Sequence, residues 1–218
     1  MVVGLRAEAR LLAGWGLPVA IGGGTAAGAE AAVGRLAAEV DAIISFGLAG
    51  GLDPALRPGA LVVPSLVVEG AFRWDTDPGL NRRLGGSTGH CLLGGGAVLA
   101  TSEAKRHARA RFGADAVDLE SAAVARAATR LGLPFAVLRA VCDPAEQALP
   151  RAALVALDPS GRIGALRVAL AVLRHPSEVP TLLALGRHAA GARRALLARV
   201  GETRAAVGGS GAWDRVGT

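Results

Sequence analysis

Acidic residues stand at the ends of apolar runs in this chain, where a carboxyl group can act on a ligand. Asp143 follows the apolar run Phe135–Val141, which is predicted to be a buried strand. An aspartate at this place is partly removed from water, which raises the pKa of its carboxyl group and lets it keep a proton for donation. The alternative for Cys142-Asp143-Pro144 is a simple Asp-Pro turn, which is the interpretation that these residues favour when taken alone.

Two further acids, Asp118 and Glu120, lie where an apolar run gives way to a helical pattern that extends from Ala122 to Arg130. A carboxylate at a helix start can cap backbone N–H groups and interact with the helix dipole. At the edge of a sheet, a carboxylate can also accept hydrogen bonds from two sugar hydroxyls at once. Glu8 lies in the first turn of another predicted helix, where acids are favoured for the same electrostatic reason.

Two glycine-rich segments offer backbone N–H groups to a ligand. Gly47–Gly51 follows an apolar run, at the end of a strand where open α/β sheets bind ligands, although a simple turn is the alternative. Ile21–Ala27 contains the pattern G-x-G-x-x-A of dinucleotide-binding loops. The acid that should end the following strand is misplaced, because Asp41 precedes that strand. This segment is therefore interpreted as a tight turn, and a nicotinamide or flavin oxidoreductase is the alternative function that it implies.

Apart from that glycine pattern, the sequence contains no motif for a metal or an organic cofactor. Its two cysteines are far apart, and the spacing of the histidines is not that of metal ligands: His90, His107, His175 and His188. It has neither the nucleophile elbow G-x-S-x-G nor a Walker A segment. We therefore expect no metal and no cofactor.

The elements that must position the acids follow from an alternation of short apolar runs with longer amphipathic ones. Strands are predicted at 1–5, 17–21, 41–48, 60–68, 91–99, 115–118 and 134–141. Helices are predicted at 6–14, 25–39, 102–112, 119–131, 162–174 and 180–200. This rhythm predicts an α/β fold with a central mixed, largely parallel twisted sheet flanked by helices.

Composition and charge set the domain organisation. The 218 residues are 51% hydrophobic, so we expect one domain over 1–205 and a flexible tail over 206–218. Aromatic residues make up only 3%, which argues against a nucleic-acid partner that stacks on aromatic side chains. The net charge of +6 comes from residues 162–204, which contain eight arginines and only two glutamates. The low cysteine content and an N-terminal segment unlike a signal peptide predict a cytoplasmic protein.

Four segments in this order resemble the nucleoside phosphorylase and 5′-methylthioadenosine/S-adenosylhomocysteine nucleosidase superfamily. They are VGLRAEARLL, SFGLAGGLDPALRPGALVVP, AVDLESAAVARAA and FAVLRAVCDPA, which together span residues 2–145. Within the superfamily, the sequence is most similar to the hopanoid-associated phosphorylases. The resemblance implies a single-domain nucleoside phosphorylase-like fold and an enzyme that releases adenine from an adenosyl compound, adenosylhopane in that subgroup. It also implies a homo-oligomer in which a neighbouring subunit often closes the site.

The resemblance assigns roles residue by residue. Asp143 lies where the family protonates or hydrogen-bonds purine N7, and Val98 and Leu99 lie where the base is held. Glu120 lies where the family binds the ribose hydroxyls, with Leu119 packed on the sugar.

The nucleophile stays open between phosphate and water. Glu8 stands where nucleosidases place the glutamate that activates water, and the loop from Gly47 and Leu48 falls on the phosphate or water side of the sugar. The arginine and serine that hold phosphate in phosphorylases are missing from Ser45-Phe46-Gly47-Leu48. Arg6 could supply the charge from the other side, by bidentate contact with phosphate as a co-substrate.

The basic C-terminal part has two interpretations. A helix over 180–200 presents an apolar face that includes Leu182, Leu185, Gly186, Ala189, Leu196 and Leu197. The face either packs on the core, or the segment 180–204 meets a membrane surface at which a lipid-linked substrate resides. A non-catalytic binding protein of a lipid pathway is the third function class.

Overall fold

The computed structural model describes residues 1–95, 97–154 and 175–208. In these ranges the strands are β1 (Val2–Val3), β2 (Ala20–Ile21), β3 (Ile43–Gly51), β4 (Leu61–Val62), β5 (Leu66–Glu69), β6 (Phe72–Asp75), β7 (Cys91–Gly94), β8 (Ala116–Asp118) and β9 (Phe135–Asp143). The helices are α1 (Arg6–Leu11), α2 (Ala26–Leu36), α3 (Pro78–Arg83), α4 (Ser102–Phe112), α5 (Ser121–Arg130), α6 (Arg151–Leu154) and α7 (Val179–Gly208), with a 3₁₀ turn at Pro176–Glu178.

The strands form one mixed sheet in the order β2-β1-β3-β8-β7-β5-β6, and β9 pairs with β3 and β4. The pairs β1–β2, β1–β3, β3–β9, β5–β7 and β7–β8 are parallel, whereas β3–β8, β4–β9 and β5–β6 are antiparallel. The predicted α/β fold with a largely parallel sheet is confirmed. The parallel strands β1, β3 and β9 end at the same edge of the sheet. The antiparallel β8 is only three residues long and pairs with the last residues of β3, so Asp118 at its end also lies beside the C-terminal part of β3.

The two longest strands are apolar throughout because both faces of the sheet are covered. Ile43 of β3 packs in the cluster on the side of α2 and α5, whereas the next residue, Ile44, packs in the cluster that contains residues of α7. Phe135 and Ala136 of β9 divide in the same way. A strand buried on both faces has no solvent side that would give an alternating pattern, which is why periodicity alone underdetermined it.

Local capping fixes where the helices begin. The hydroxyl of Thr25 accepts a hydrogen bond from Gly28 N at 3.1 Å, and Asp77 accepts one from Leu80 N at 2.7 Å, with a proline directly after it. These are the side chains expected at an N-cap, followed by proline at the first helical position.

Several elements differ from the sequence prediction. The predicted strand 60–68 is two strands, β4 and β5, and β6, α3 and α6 were missed. The exposed β6 carries charged residues, and Phe72 is 67% exposed, so it lacks the apolar signature of the central strands. The helix predicted at 162–174 lies outside the described residues. Helix α7 extends to Gly208, into the segment predicted as a flexible tail, and 209–218 are outside the described ranges.

Helix α7 docks on the sheet through a face turned from the predicted one. Ala192, Leu196 and Val200 are buried in the core with residues of β3 and β9. Leu197 and Gly186, which the sequence placed on the buried face, are exposed. The interpretation that this helix packs on the core is therefore correct for the side that carries Ala192, Leu196 and Val200. Among the helices of the described ranges, none is long and apolar enough to cross a membrane.

Two adjacent leucines of α7 provide a matched test of this docking. Leu196→Ala should lower the free energy of unfolding by about 2–5 kcal/mol, because it leaves a cavity in a fully buried position. Leu197→Ala, at a side chain that is 46% exposed, should change it by less than about 1 kcal/mol. Chemical denaturation of the two variants measures both values, and equal losses would contradict the docking of α7.

Candidate active site

A cavity of about 260 Å³ lies at the C-terminal ends of β3, β8 and β9 and includes the turns after β1 and β2. Most of the residues selected from the sequence line it, namely Glu8, Leu48, Val98, Leu99, Leu119, Glu120 and Asp143. Gly47 does not line the cavity but lies beside two residues that do, since a Cβ at this position would collide with Glu8 and Arg139. Arg6 does not line the cavity, and its side chain is exposed on α1.

Glu8 is a buried carboxylate held by backbone amides. Its Oε2 accepts hydrogen bonds from Gly4 N at 3.0 Å and Leu5 N at 2.8 Å, and its Oε1 accepts one from Leu48 N at 2.9 Å. Glu8 is 4% exposed, so these amides replace water around most of the group. A carboxylate oxygen has room for two donors, which leaves a place on Oε1 for one more.

Glu120 is buried among glycines that make room for its carboxyl group. Its Oε1 accepts a hydrogen bond from Gly24 N at 3.1 Å. A Cβ at Gly4 or Gly22 would collide with its oxygens, so both positions need glycine for a close approach. Burial raises the pKa of Glu120 to about 7, with the charges of Asp118 and Glu8 acting in the same direction and that of Arg139 acting against it.

The glycine turn after β2 therefore serves the protein's own carboxylate. Gly24 N donates to Glu120 and Gly28 N donates to Thr25, so two of the N–H groups that a dinucleotide phosphate would use are engaged. This supports the interpretation of Ile21–Ala27 as a tight turn that belongs to the cavity.

Asp143 is paired with a lysine that the sequence analysis did not select. Lys105 Nζ lies 2.6 Å from Asp143 Oδ2, and the lysine side chain is fully buried. The thiol of Cys142 donates to Asp143 Oδ1 at 3.3 Å. Burial raises the pKa of Asp143, and Lys105 opposes that shift. The sequence signal for Lys105 was that it is the single lysine of the chain.

A second missed residue, Arg139, supplies the positive charge of the cavity wall. It is 2% exposed, and its Nη2 donates to Ser45 Oγ at 2.7 Å and to Ser121 Oγ at 3.1 Å. It also forms an ion pair with Asp118. An arginine inside the otherwise apolar run Phe135–Val141 was the available signal, because a charge is rarely buried without a partner.

Asp118 has the capping role that was one of its two interpretations. Its Oδ1 accepts a hydrogen bond from Ser121 N at 3.0 Å, and its Oδ2 accepts one from the hydroxyl of the same serine at 2.5 Å. Asp118 thus begins α5 and anchors Arg139. Glu120 lies two residues after Asp118, directly before the first residue of α5.

The charged groups of the site do not cancel. Four acids line the cavity, namely Glu8, Asp118, Glu120 and Asp143, and among the described lining residues Arg139 is the cation. With Lys105 behind Asp143, full ionisation gives four negative charges and two positive ones. The excess of negative charge is one reason for the raised pKa of Glu120. Within the described ranges, no cluster of acids, histidines and cysteines could hold a metal ion.

Comparison with known proteins identifies the fold. Residues 87–174 match the family model of the Phosphorylase superfamily. A comparison with curated proteins gives no significant match. Among solved structures, the chain is similar to 5′-methylthioadenosine/S-adenosylhomocysteine nucleosidase from Helicobacter pylori, with a TM-score of 0.63 and 18% identity over 92% of this chain and 96% of that one.

Two further structures have the same architecture. Futalosine hydrolase of H. pylori strain 26695 gives a TM-score of 0.63 and 18% identity, again over 92% of this chain and 96% of that one. A 5′-methylthioadenosine/S-adenosylhomocysteine nucleosidase from Colwellia psychrerythraea, in complex with adenine, gives 0.60 and 20% over 85% and 77%. These similarities confirm the predicted nucleoside phosphorylase-like fold.

Proposed function

We propose that this protein hydrolyses the N-glycosidic bond between ribose and adenine in an adenosyl compound. The observation that carries the proposal is that one cavity gathers Glu8, Glu120 and Asp143 around a single buried arginine, Arg139. These are a candidate base, sugar ligand and acid on one wall. The partial match to the Phosphorylase superfamily and the likeness to solved nucleosidases support the same assignment.

The role proposed for Asp143 is to protonate the leaving base. Cleavage of the bond from C1′ to the purine leaves the electron pair on the base, and N7 then takes up a proton from Asp143. The buried position of Asp143 favours the protonated acid that this step requires. Val98, Leu99 and Leu149 line the cavity as apolar neighbours for the flat base. Proton donation of this kind contributes about 10²–10⁴-fold to a rate.

The role proposed for Glu120 is to bind the sugar, with Leu119 beside it. In its ionised form Glu120 accepts hydrogen bonds from the two ribose hydroxyls and so holds C1′ in line with the nucleophile. As the bond breaks, positive charge develops on the ribose ring. The excess of negative charge around the cavity stabilises that charge.

Water is the proposed nucleophile, activated by Glu8. Its Oε1 has one place left for a donor, and a water bound there would pass its proton to Glu8 while its oxygen bonds to C1′. Phosphate is disfavoured because the cavity wall already carries excess negative charge, and because Arg6 is exposed outside it. Phosphorolysis is the alternative reaction, and the next experiment distinguishes it from hydrolysis by its need for phosphate.

Adenine release from 5′-methylthioadenosine, with and without phosphate, tests this assignment. The wild-type protein should release adenine at the same rate in both conditions. Glu8→Gln and Asp143→Asn should each lose about 10²-fold or more, because each removes a proton acceptor or donor. Arg6→Ala is the matched control and should retain full activity. A rate that requires phosphate and falls in Arg6→Ala would contradict hydrolysis.

Glu120 should make ligand binding depend on pH. Since its pKa is about 7 in the free protein, binding that requires the carboxylate weakens as the pH falls below 7, by roughly tenfold per unit. Calorimetry with a non-hydrolysable adenosine C-nucleoside between pH 5.5 and about 8.5 measures this slope. Glu120→Gln should flatten it.

A 2′,3′-dideoxy form of the same C-nucleoside is the control. It keeps every contact of the base with Asp143 but has no hydroxyls for Glu120, so its affinity should not follow the titration of Glu120. Equal slopes for the two ligands would remove Glu120 from the ribose site.

For the substrate, we propose adenosylhopane, with peripheral contact at a membrane surface. The resemblance to the hopanoid-associated phosphorylases supports this choice, and 5′-methylthioadenosine/S-adenosylhomocysteine nucleosidase activity is the alternative. The side of α7 opposite its docked face exposes two leucines and three arginines, namely Leu183, Leu197, Arg187, Arg194 and Arg204. Each arginine contributes roughly 1 kcal/mol of attraction near an anionic surface. A homo-oligomer and a cytoplasmic location remain predictions.

Vesicle co-sedimentation at low salt tests the membrane contact. We expect binding to anionic vesicles that salt reverses, weak binding to neutral ones, and a reduction in the variant Arg194→Glu/Leu197→Glu. Arg106→Glu, a charge reversal on α4, is the control and should bind as the wild type does. Protein that stays wholly in the supernatant with anionic lipid, or that binds DNA as strongly, would contradict a membrane surface on α7.

A further inference from the structure

Lys105 occupies an environment that is unusual for a lysine. It lies in α4, and its side chain is fully buried. Its Nζ donates to Asp143 Oδ2 at 2.6 Å and to the carbonyl oxygens of Pro144 at 2.9 Å and Gln147 at 3.1 Å. A buried ammonium group is costly unless it is paired and hydrogen-bonded, and an apolar side chain would fill the same space without that cost.

The three contacts of Lys105 match the donors of an ammonium group. Such a group has three hydrogens, one for each oxygen that lies within hydrogen-bond distance of Nζ. In this form every N–H of the lysine is used. Lys105 does not line the cavity, whereas Asp143 does. Asp143 therefore lies between the lysine and the cavity.

The contact divides the two oxygens of Asp143 into separate roles. Oδ2 is engaged by Lys105, while Oδ1 accepts only the weak thiol donor of Cys142. Oδ1 is thus the oxygen left to carry a proton toward a ligand. With Oδ2 held by an ammonium group, a proton on Oδ1 is bound less tightly and is given up more readily.

The same lysine also holds the segment that follows Asp143. The carbonyls of Pro144 and Gln147 converge on Nζ, and two residues later Leu149 lines the cavity. Leu149 N donates to Ala100 O at 2.8 Å, next to the segment proposed to hold the base. One ammonium group therefore ties α4, the end of β9 and this segment together.

We propose that Lys105 is a positioning residue of the active site, which fixes Asp143 so that Oδ1 meets the leaving base and strengthens it as an acid. This inference rests on the proposed function. The lysine acts through Asp143 and the segment after it. The other groups that bear on Asp143 are the thiol of Cys142 on its own strand and His188 of α7, and both stay in place in the variants below.

The pH dependence of adenine release from 5′-methylthioadenosine separates positioning from mere stability. Activity that needs protonated Asp143 falls on the alkaline side of its pKa. Lys105→Met removes the charge that lowers this pKa, so the alkaline limb should move to higher pH by roughly one unit or more, with a plateau reduced roughly tenfold or more. Arg109→Met, one turn along α4 at a partly exposed ion pair with Asp53, should keep the wild-type profile.

Chemical rescue provides the second readout. In Lys105→Ala, propylammonium should refill the space and raise the rate in a saturable way, while neutral propanol of the same size should not. A slower Lys105→Met with an unmoved alkaline limb, or no rescue by propylammonium, would overturn the proposal.

A readout without catalysis keeps this inference distinct from the proposed function. Lys105→Met leaves Asp143 buried without its cationic partner and should lower the midpoint of thermal unfolding at pH 7 by roughly 10 °C. The double variant Lys105→Met/Asp143→Asn should recover most of that loss. If the wild type releases adenine from neither 5′-methylthioadenosine nor adenosylhopane, the proposed function fails. If the double variant is no more stable than Lys105→Met, the coupling of Lys105 to Asp143 fails independently.

Discussion

The balance of buried charge at one edge of the sheet is the constraint on which the site depends. Four acids and two cations, each less than 9% exposed, lie where β1, β3, β8 and β9 end. Each acid is stabilised in its own way: Glu8 by backbone amides, Asp118 by an arginine, Asp143 by a lysine, and Glu120 by the N–H of Gly24. The pKa of Glu120, raised to about 7 by burial, lets this group change its charge near neutral pH.

The same constraint explains the glycines around the cavity. A glycine-rich turn at a strand end is often interpreted as a phosphate cradle, and two such turns were predicted here. Gly4, Gly22 and Gly47 instead lie where a Cβ would collide with Glu120, Glu8 or Arg139. The segment Gly47–Gly51, predicted to follow a strand, is itself the last part of β3, whereas Gly4 and Gly22 lie in turns. All three glycines leave space for the protein's own charged side chains, and a site already filled with carboxylates suits a developing cation better than an incoming anion.

The extent to which the sequence predicted this arrangement follows from how local each signal is. Asp143 and Glu120 were found because a carboxylate after an apolar run is visible in a single short segment. Their proximity could not be read from the strands alone, because β8 is antiparallel to β3 and β9 is parallel to it. Lys105 and Arg139 were missed because their partners lie 38 and 94 residues away, Asp143 in one case and Ser45 in the other. The short strand β6 was missed because its exposed residues carry no burial pattern.

The central claim, that water attacks C1′ inside a cavity of excess negative charge, is tested most directly by isotope transfer. The protein is incubated with 5′-methylthioadenosine in oxygen-18 water containing phosphate, and the sugar product is analysed by mass spectrometry as it forms, before it exchanges with solvent. Hydrolysis predicts a free sugar that carries oxygen-18 at C1 from its first appearance. A sugar 1-phosphate with no oxygen-18 at C1 would contradict the account.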